Sequence, residues 1–190
     1  MASYYRQQLE DWLKTIDVKA DRVLDIGGGA NPVKGRTKSW EVREYEIVDN
    51  NAEGEFVEKH NFIDLNKPYQ GGLPYDNDII FCLEVFEYLF RPLLALKTIH
   101  LLLKKGGIVY ISFPSIYPVH NPKEIDYLRY TKFAIEKLLK VAGFTQWEIR
   151  PRVATEGRQA LSAFYSLEKM HPVKNDPVIY DIGYLVEAHK

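Results

Sequence analysis

The chain has 190 residues, a length that buries one core and hardly two. Its 25 Lys and Arg stand against 26 Asp and Glu, so no basic field draws the whole molecule to nucleic acid or anionic lipid. A single cysteine, Cys82, excludes an internal disulfide framework and fits a reducing compartment. The opening MASYYRQQLEDWLK carries early charges and lacks the apolar core of a signal peptide. No run approaches the roughly eighteen uncharged apolar residues of a membrane span. A cytoplasmic, single-domain protein over residues 1–190 with no membrane contact is the expectation.

Taken in chain order, Ser3 can cap an N-terminal helix within residues 1–20, whose apolar stripe is Leu9, Trp12, Leu13 and Ile16. Strands are predicted at 22–26 (RVLDI), 45–48 (YEIV), 55–60 (EFVEKH) and 78–84 (DIIFCLE), then at 107–113 (GIVYISF), 146–153 (QWEIRPRV) and 182–189 (IGYLVEAH). Pro92 opens a helix that buries Leu93, Leu96, Ile99 and Leu103 and that Gly106 stops. Thr131 caps another, with Ile135, Leu138, Leu139 and Ala142 inward and Gly143 behind it. A weaker helix is read at 157–169, and Pro172 and Pro177 mark the loop before the last strand. The alternation predicts an α/β fold: a Rossmann-like, mostly parallel, seven-stranded sheet with helices on both faces, pared down in its first half. Residues 21–150 form the core of that plan, and 151–190 supply the last helix and strand.

In such sheets ligands lie beyond the carboxyl ends of the strands. There the first strand runs into VLDIGGGANP, where Gly27, Gly28 and Gly29 lack the Cβ atoms that would hold a ligand off. A dinucleotide fingerprint starting at Gly27 needs a third glycine where Pro32 stands, and no phosphate-loop Gly-Lys-Ser/Thr follows. Asp49 ends the second strand, where a carboxylate can accept both hydroxyls of a ribose. Asp64 in HNFIDLN is either an adenine acceptor or a turn residue, and Glu84 either lines a pocket or ends a strand.

VLDIGGGANP, EIVDN, FIDLN and LEVFEYLFRPLLALKTIHLLLKKGGIVYISFPS, in that order, resemble the class I S-adenosylmethionine-dependent methyltransferases over roughly residues 20 to 150. Within that family the chain is most similar to small, stand-alone, type 11-like members found among glycan-modifying enzymes, which share a stretch like HNPKEIDYLRYT at 120–131. It departs from them at Glu87-Tyr88-Leu89, where many have Glu-His-Leu, and at Asn31. The resemblance implies S-adenosylmethionine as cofactor. Its carboxylate would meet the backbone N–H groups of Gly27–Gly29 and its ammonium Asp25. Its ribose would meet Asp49 beside Asn50, and its adenine Ile63, Asp64 and Leu65, with Glu84 lining the pocket.

The segment LEVF stands where base-methylating enzymes carry Asp/Asn-Pro-Pro-Tyr, and Cys82 sits within a strand as a small hydrophobe, so a nucleic-acid acceptor is disfavoured. The expectation is O-methylation of a sugar or other small molecule. His120 is the candidate base, read against a solvent-exposed loop histidine; Asp126 either orients it or binds the acceptor. Arg129 either holds an anionic substrate or pairs with Asp126. Tyr130 and Tyr127 pack or stack on a sugar, and Tyr4 and Tyr5 either pack the core or lid the cofactor. His60, His100, His171 and His189 lack metal-ligand spacing, so no catalytic metal is expected. Two rivals remain open: a catalytically silent module that binds cofactor or a protein partner, and an NAD-dependent oxidoreductase. An oligomer is compatible with the sequence.

Overall fold

Apolar residues at alternate strand positions supply one sheet with two buried faces, and the helices are short amphipathic covers for those faces. The computed structural model describes residues 3–49, 63–120, 123–154 and 181–190, together with residue 159. The strands are β1 (Asp17–Ile26), β2 (Ser39–Val48), β3 (Asn77–Cys82), β4 (Leu103–Pro114), β5 (Gln146–Val153) and β6 (Asp181–His189). They form a six-stranded sheet in the order β2-β1-β3-β4-β6-β5. β2, β1, β3 and β4 are mutually parallel, and β6 runs antiparallel to both β4 and β5. The seventh expected strand, at 55–60, lies outside the described residues. So do the helix expected at 157–169, the loop at Pro172 and Pro177, and Asn50, His60 and His171.

The helix α1 (Tyr4–Leu13) is capped as expected, the Ser3 hydroxyl accepting from the Arg6 N–H at 3.2 Å. It stops one turn earlier than its stripe suggests. Lys14 is the C-cap, and Ile16 is buried from the connection to β1. Leu9, Trp12 and Leu13 pack with Val23, Phe81 and Tyr110 on one face of the sheet. The helices α2 (Pro92–Leu102) and α3 (Lys132–Ala142) cover the other face, joining Leu96, Ile99, Ile135 and Leu139 to Leu24, Ile80, Ile111 and Val186. Pro92 opens α2, the Thr131 hydroxyl caps α3, and Gly143 ends it at a left-handed φ of 108°.

Gly106 does not terminate α2. That helix ends at Leu102, and Leu103 is already extended and paired with Asn77. The register then jumps, since Ile79 pairs with Ile108. Gly106, at φ 76°, turns the extra residues of that bulge. Between β1 and β2 the chain makes turns without an α-helix, as expected of the reduced first half.

Gly183 on β6 lies against Tyr5 of α1. A Cβ there would sit 2.6 Å from the Tyr5 hydroxyl and 2.9 Å from the Phe113 carbonyl oxygen. Gly183→Ala is expected to destabilise the protein by about 1–3 kcal/mol in urea unfolding. Adding Tyr5→Phe should recover only part of that loss, because the Phe113 carbonyl is backbone.

Candidate active site

The sheet order reverses at β1, which has β2 on one side and β3 on the other, so a crevice forms where their carboxyl ends diverge. Gly27–Gly29, Asp49 and Glu84 converge there. The Gly27 N–H donates to the Val48 carbonyl at 2.7 Å, tying the loop to the end of β2, and its φ of 82° suits glycine.

The bare α-carbons of this loop face protein. A Cβ on Gly27 would reach 2.3 Å from Val85, one on Gly28 would reach 2.3 Å from the Asp25 carboxylate, and one on Gly29 would reach 2.8 Å from Asp49. Glycines are therefore required for the loop to wrap around two carboxylates. Asp25, 3% exposed, lies under the loop, and its Oδ2 accepts from the Val33 N–H at 2.8 Å and the Tyr45 hydroxyl at 2.6 Å. Burial pushes the Asp25 carboxyl up to about 6, against the pull of those two donors. The Gly29 N–H donates to Asp49 Oδ2 at 2.8 Å, fixing the acid at the end of β2 beside the loop.

Asp64 closes a turn, accepting from the Asn66 N–H at 3.0 Å and pairing with Lys67. Its neighbours Ile63 and Leu65 are buried in the core under α2 and α3. This segment is thus anchored through its apolar residues, with the acid held at the turn.

A second group of polar side chains gathers beyond β3, β4 and β5. Glu84 follows β3 with φ 58°, an uncommon conformation for a side-chain-bearing residue. Its N–H donates to Ser112 Oγ, and that hydroxyl donates to Glu84 Oε1 at 2.7 Å. The fully buried Arg152 reaches Glu84 Oε1 at 2.9 Å, its guanidinium 3.9 Å from the centre of the Tyr5 ring. Glu87 sits in the 3-10 turn Phe86–Tyr88, 2% exposed. Burial first, then the neighbouring Glu84 carboxylate, pushes its carboxyl up to about 8.

His120 lies on the loop after β4, its backbone N–H donating to Asp126 Oδ2 at 2.6 Å. Its Nδ1 is 3.8 Å from Glu87 Oε1 and 3.8 Å from Asp126 Oδ2. Arg129 grips both oxygens of the solvent-shielded Asp126 and donates further to the carbonyls of Tyr117, Leu128 and Pro118. This pairing holds the Asp126 carboxyl below its ordinary range and leaves Arg129 engaged in fixing the loop. Tyr130 is buried, donating to the Phe86 carbonyl at 2.9 Å and packing on Phe86 and Phe113. Tyr5 is likewise buried, while Tyr4 and Tyr127 are exposed.

The methyltransferase-domain family matches residues 1–149, more than half of the chain. The chain belongs to that family. Its fold is that of the class I S-adenosylmethionine-dependent methyltransferases, as three solved neighbours illustrate. A methyltransferase from Mesorhizobium loti is 14% identical, with TM-score 0.64, covering 100% of this chain and 99% of the other. A Haloferax volcanii methyltransferase in complex with the Trm112 activator is 14% identical, with TM-score 0.63, covering 98% and 88%. A Haemonchus contortus phosphoethanolamine N-methyltransferase with S-adenosyl-L-methionine is 17% identical, with TM-score 0.57, covering 97% and 51%. No curated protein sequence matches the chain. No described helix of this methyltransferase domain is long and apolar enough to cross a membrane.

Sequence reasoning brought together the glycine loop, Asp49, Glu84, His120, Asp126 and Arg129. It gave no role to Ser112, Tyr117 and Arg152, and it met Glu87 only as the acid of Glu87-Tyr88-Leu89. The signal for Glu87 was an acid between Phe86 and Tyr88 a few residues beyond a strand; Arg152 read only as one residue of an alternating strand.

The buried acid predicts a pH dependence. Because Glu87 holds its proton up to about 8 in the folded state, the native protein binds more protons than the unfolded chain between about pH 4.5 and about pH 8. Its contribution to stability therefore falls as pH rises through that window. Glu87→Gln, which cannot ionise, should gain stability relative to wild type by on the order of a few kcal/mol between those limits. Thermal or urea unfolding at both ends of the window checks this; parallel pH profiles for the two proteins would contradict it.

Proposed function

We propose that this methyltransferase transfers a methyl group to a hydroxyl of a sugar or other small molecule, with His120 taking the hydroxyl proton. The observation that carries the reading is the placement of His120. Val85 closes against Gly27 in the cofactor loop, Glu87 follows two residues later, and His120 Nδ1 lies 3.8 Å from Glu87. The candidate base thus stands on the β4 side of the same crevice, its backbone N–H bonded to Asp126, which Arg129 holds in turn.

S-adenosylmethionine is the cofactor, and it supplies an electrophilic methyl group on a sulfonium. Asp49 would accept its ribose hydroxyls, and N–H groups of the Gly27–Gly29 loop its carboxylate. Asp25 would act chiefly by holding the loop against Val33, with its charge near the ammonium. The turn at Asp64, with Ile63 and Leu65, would border the adenine, and Glu84 would face the cationic centre. The carboxylates Asp25, Asp49 and Glu84 suit a cation bearing hydroxyls better than they suit a pyrophosphate.

Transfer to oxygen needs the nucleophile in line with the methyl and a base within reach of its proton. Asp126, held below its ordinary carboxyl range by Arg129, is a poor proton acceptor, so its part is to hold the His120 backbone. Tyr127 and Tyr130 border the same loop. The acceptor is a small molecule or glycan unit in a soluble compartment, with no nucleic-acid or membrane partner.

Two measurements test the reading. In calorimetry, S-adenosylhomocysteine should bind wild type, while Asp49→Ala should lose about 1.5–3 kcal/mol of affinity with its fold intact. His120→Ala should bind the cofactor normally yet turn over about 10²–10⁴-fold more slowly in a labelled-methyl screen of sugars and small hydroxyl compounds. Near-normal turnover in that variant would remove histidine from the mechanism.

A further inference from the structure

The 3-10 turn after β3 buries a polar atom that no described residue pairs with. Glu87 Oε2 is buried and, among the described residues, has no hydrogen-bond partner; His120 Nδ1 is in the same condition. The two side chains face each other, with Nδ1 3.8 Å from Glu87 Oε1. A buried polar group left unpaired is costly, and two of them in one place call for a shared explanation.

Asp126 does not supply it. Its Oδ2 also lies 3.8 Å from Nδ1, but that oxygen already accepts from the His120 N–H and from Arg129 Nη2. Glu84 is likewise committed, to Ser112 and Arg152. The groups facing the pair are then Cys82, Glu84 and Tyr88 from β3 and the turn after it, Asp126, Arg129 and Tyr130 from the loop, and Tyr5 from α1. The Tyr117 ring lies 4.8 Å from the imidazole, centre to centre.

We propose that Glu87 completes the proton path that begins at His120: the ring receives the acceptor's hydroxyl proton at Nε2 and passes its Nδ1 proton to the Glu87 carboxylate. This rests on the reading of His120 as the base. In the step, the acceptor O–H bond and the sulfonium C–S bond break, and the O–CH3 bond forms. The proton count closes with one proton gained at Nε2, one lost from Nδ1 and one gained by Glu87. The charges close as well, since the sulfonium becomes a neutral thioether as the carboxylate becomes a neutral acid. The step belongs to the form in which Glu87 is ionised, which fills as pH rises through about 8, and burial then favours the neutral acid on the product side of the exchange. Glu87 acts through His120 and does not touch the acceptor, so it is a positioning residue with a proton to hold.

The His120 tautomer should therefore follow the protonation of Glu87. The test uses protein labelled with 15N in the histidine rings and 13C in the glutamate carboxyls, saturated with S-adenosylhomocysteine and scanned from about pH 6 to about pH 9.5. His120→Ala and Glu87→Gln identify the signals. The expected result is a change of tautomer in the neutral His120 ring, from Nε2–H to Nδ1–H, with the same midpoint as the Glu87 carboxyl. In Glu87→Gln that change should vanish while the dissociation constant for S-adenosylhomocysteine stays within about twofold. A tautomer that stays constant through the Glu87 titration in wild type overturns the proposal, whatever the variant does. The same switch persisting in Glu87→Gln also overturns it. Failure of the base reading looks different: the switch is present, yet His120→Ala turns over normally.

Discussion

The site depends on a carboxylate packed beneath a glycine loop. Asp25 ends β1 pointing into the interior, and its Oδ2 draws the Val33 N–H and the Tyr45 hydroxyl onto it. The loop from Gly27 to Val33 must therefore fold back over the acid. It can do so only because Gly28 has no side chain to collide with the carboxylate. The same constraint recurs one strand away, where the absence of a Cβ on Gly29 lets its N–H donate to Asp49. Loop conformation and the position of Asp49 are thus one piece of packing.

The opposite wall follows a different logic. It is built from charges that neutralise one another: Arg152 with Glu84, and Arg129 with Asp126. Gly183 makes room for Tyr5, whose ring stacks against the Arg152 guanidinium. The Glu87 backbone carbonyl accepts from the N–H groups of Tyr127 and Leu128, which ties the turn after β3 to that segment. Beside these contacts Glu87 Oε2 and His120 Nδ1 have no hydrogen-bond partner among the described residues.

Much of this was legible in the sequence, for identifiable reasons. Alternating apolar residues gave the strands, and Ser3, Pro92, Thr131 and Gly143 gave the helix ends, because capping chemistry is local. Asp25, Gly27–Gly29, Asp49 and Glu84 were visible because each lies at or just beyond the carboxyl end of a strand. What escaped depended on distant partners. The end of α2 was set by Leu103 pairing with Asn77, so Gly106 went to a bulge instead of a helix stop. The glycines were expected to yield space to a ligand, whereas the space their α-carbons leave is taken by Val85, Asp25 and Asp49. Glu87 and Arg152 gain their character from burial against residues far away in the chain, which no local pattern records.

The proposed seat of S-adenosylmethionine is the crevice where β1 and β3 part, against the Gly27–Gly29 loop and Asp49. An amide 15N–1H spectrum followed during titration with S-adenosylhomocysteine reports on each of those residues. The largest shifts should fall on Gly27, Gly28, Gly29, Asp49 and Glu84, with Gln146 and His189 at the far end of the sheet unmoved. Unchanged loop amides at saturating ligand, or shifts concentrated at that far end, would contradict it.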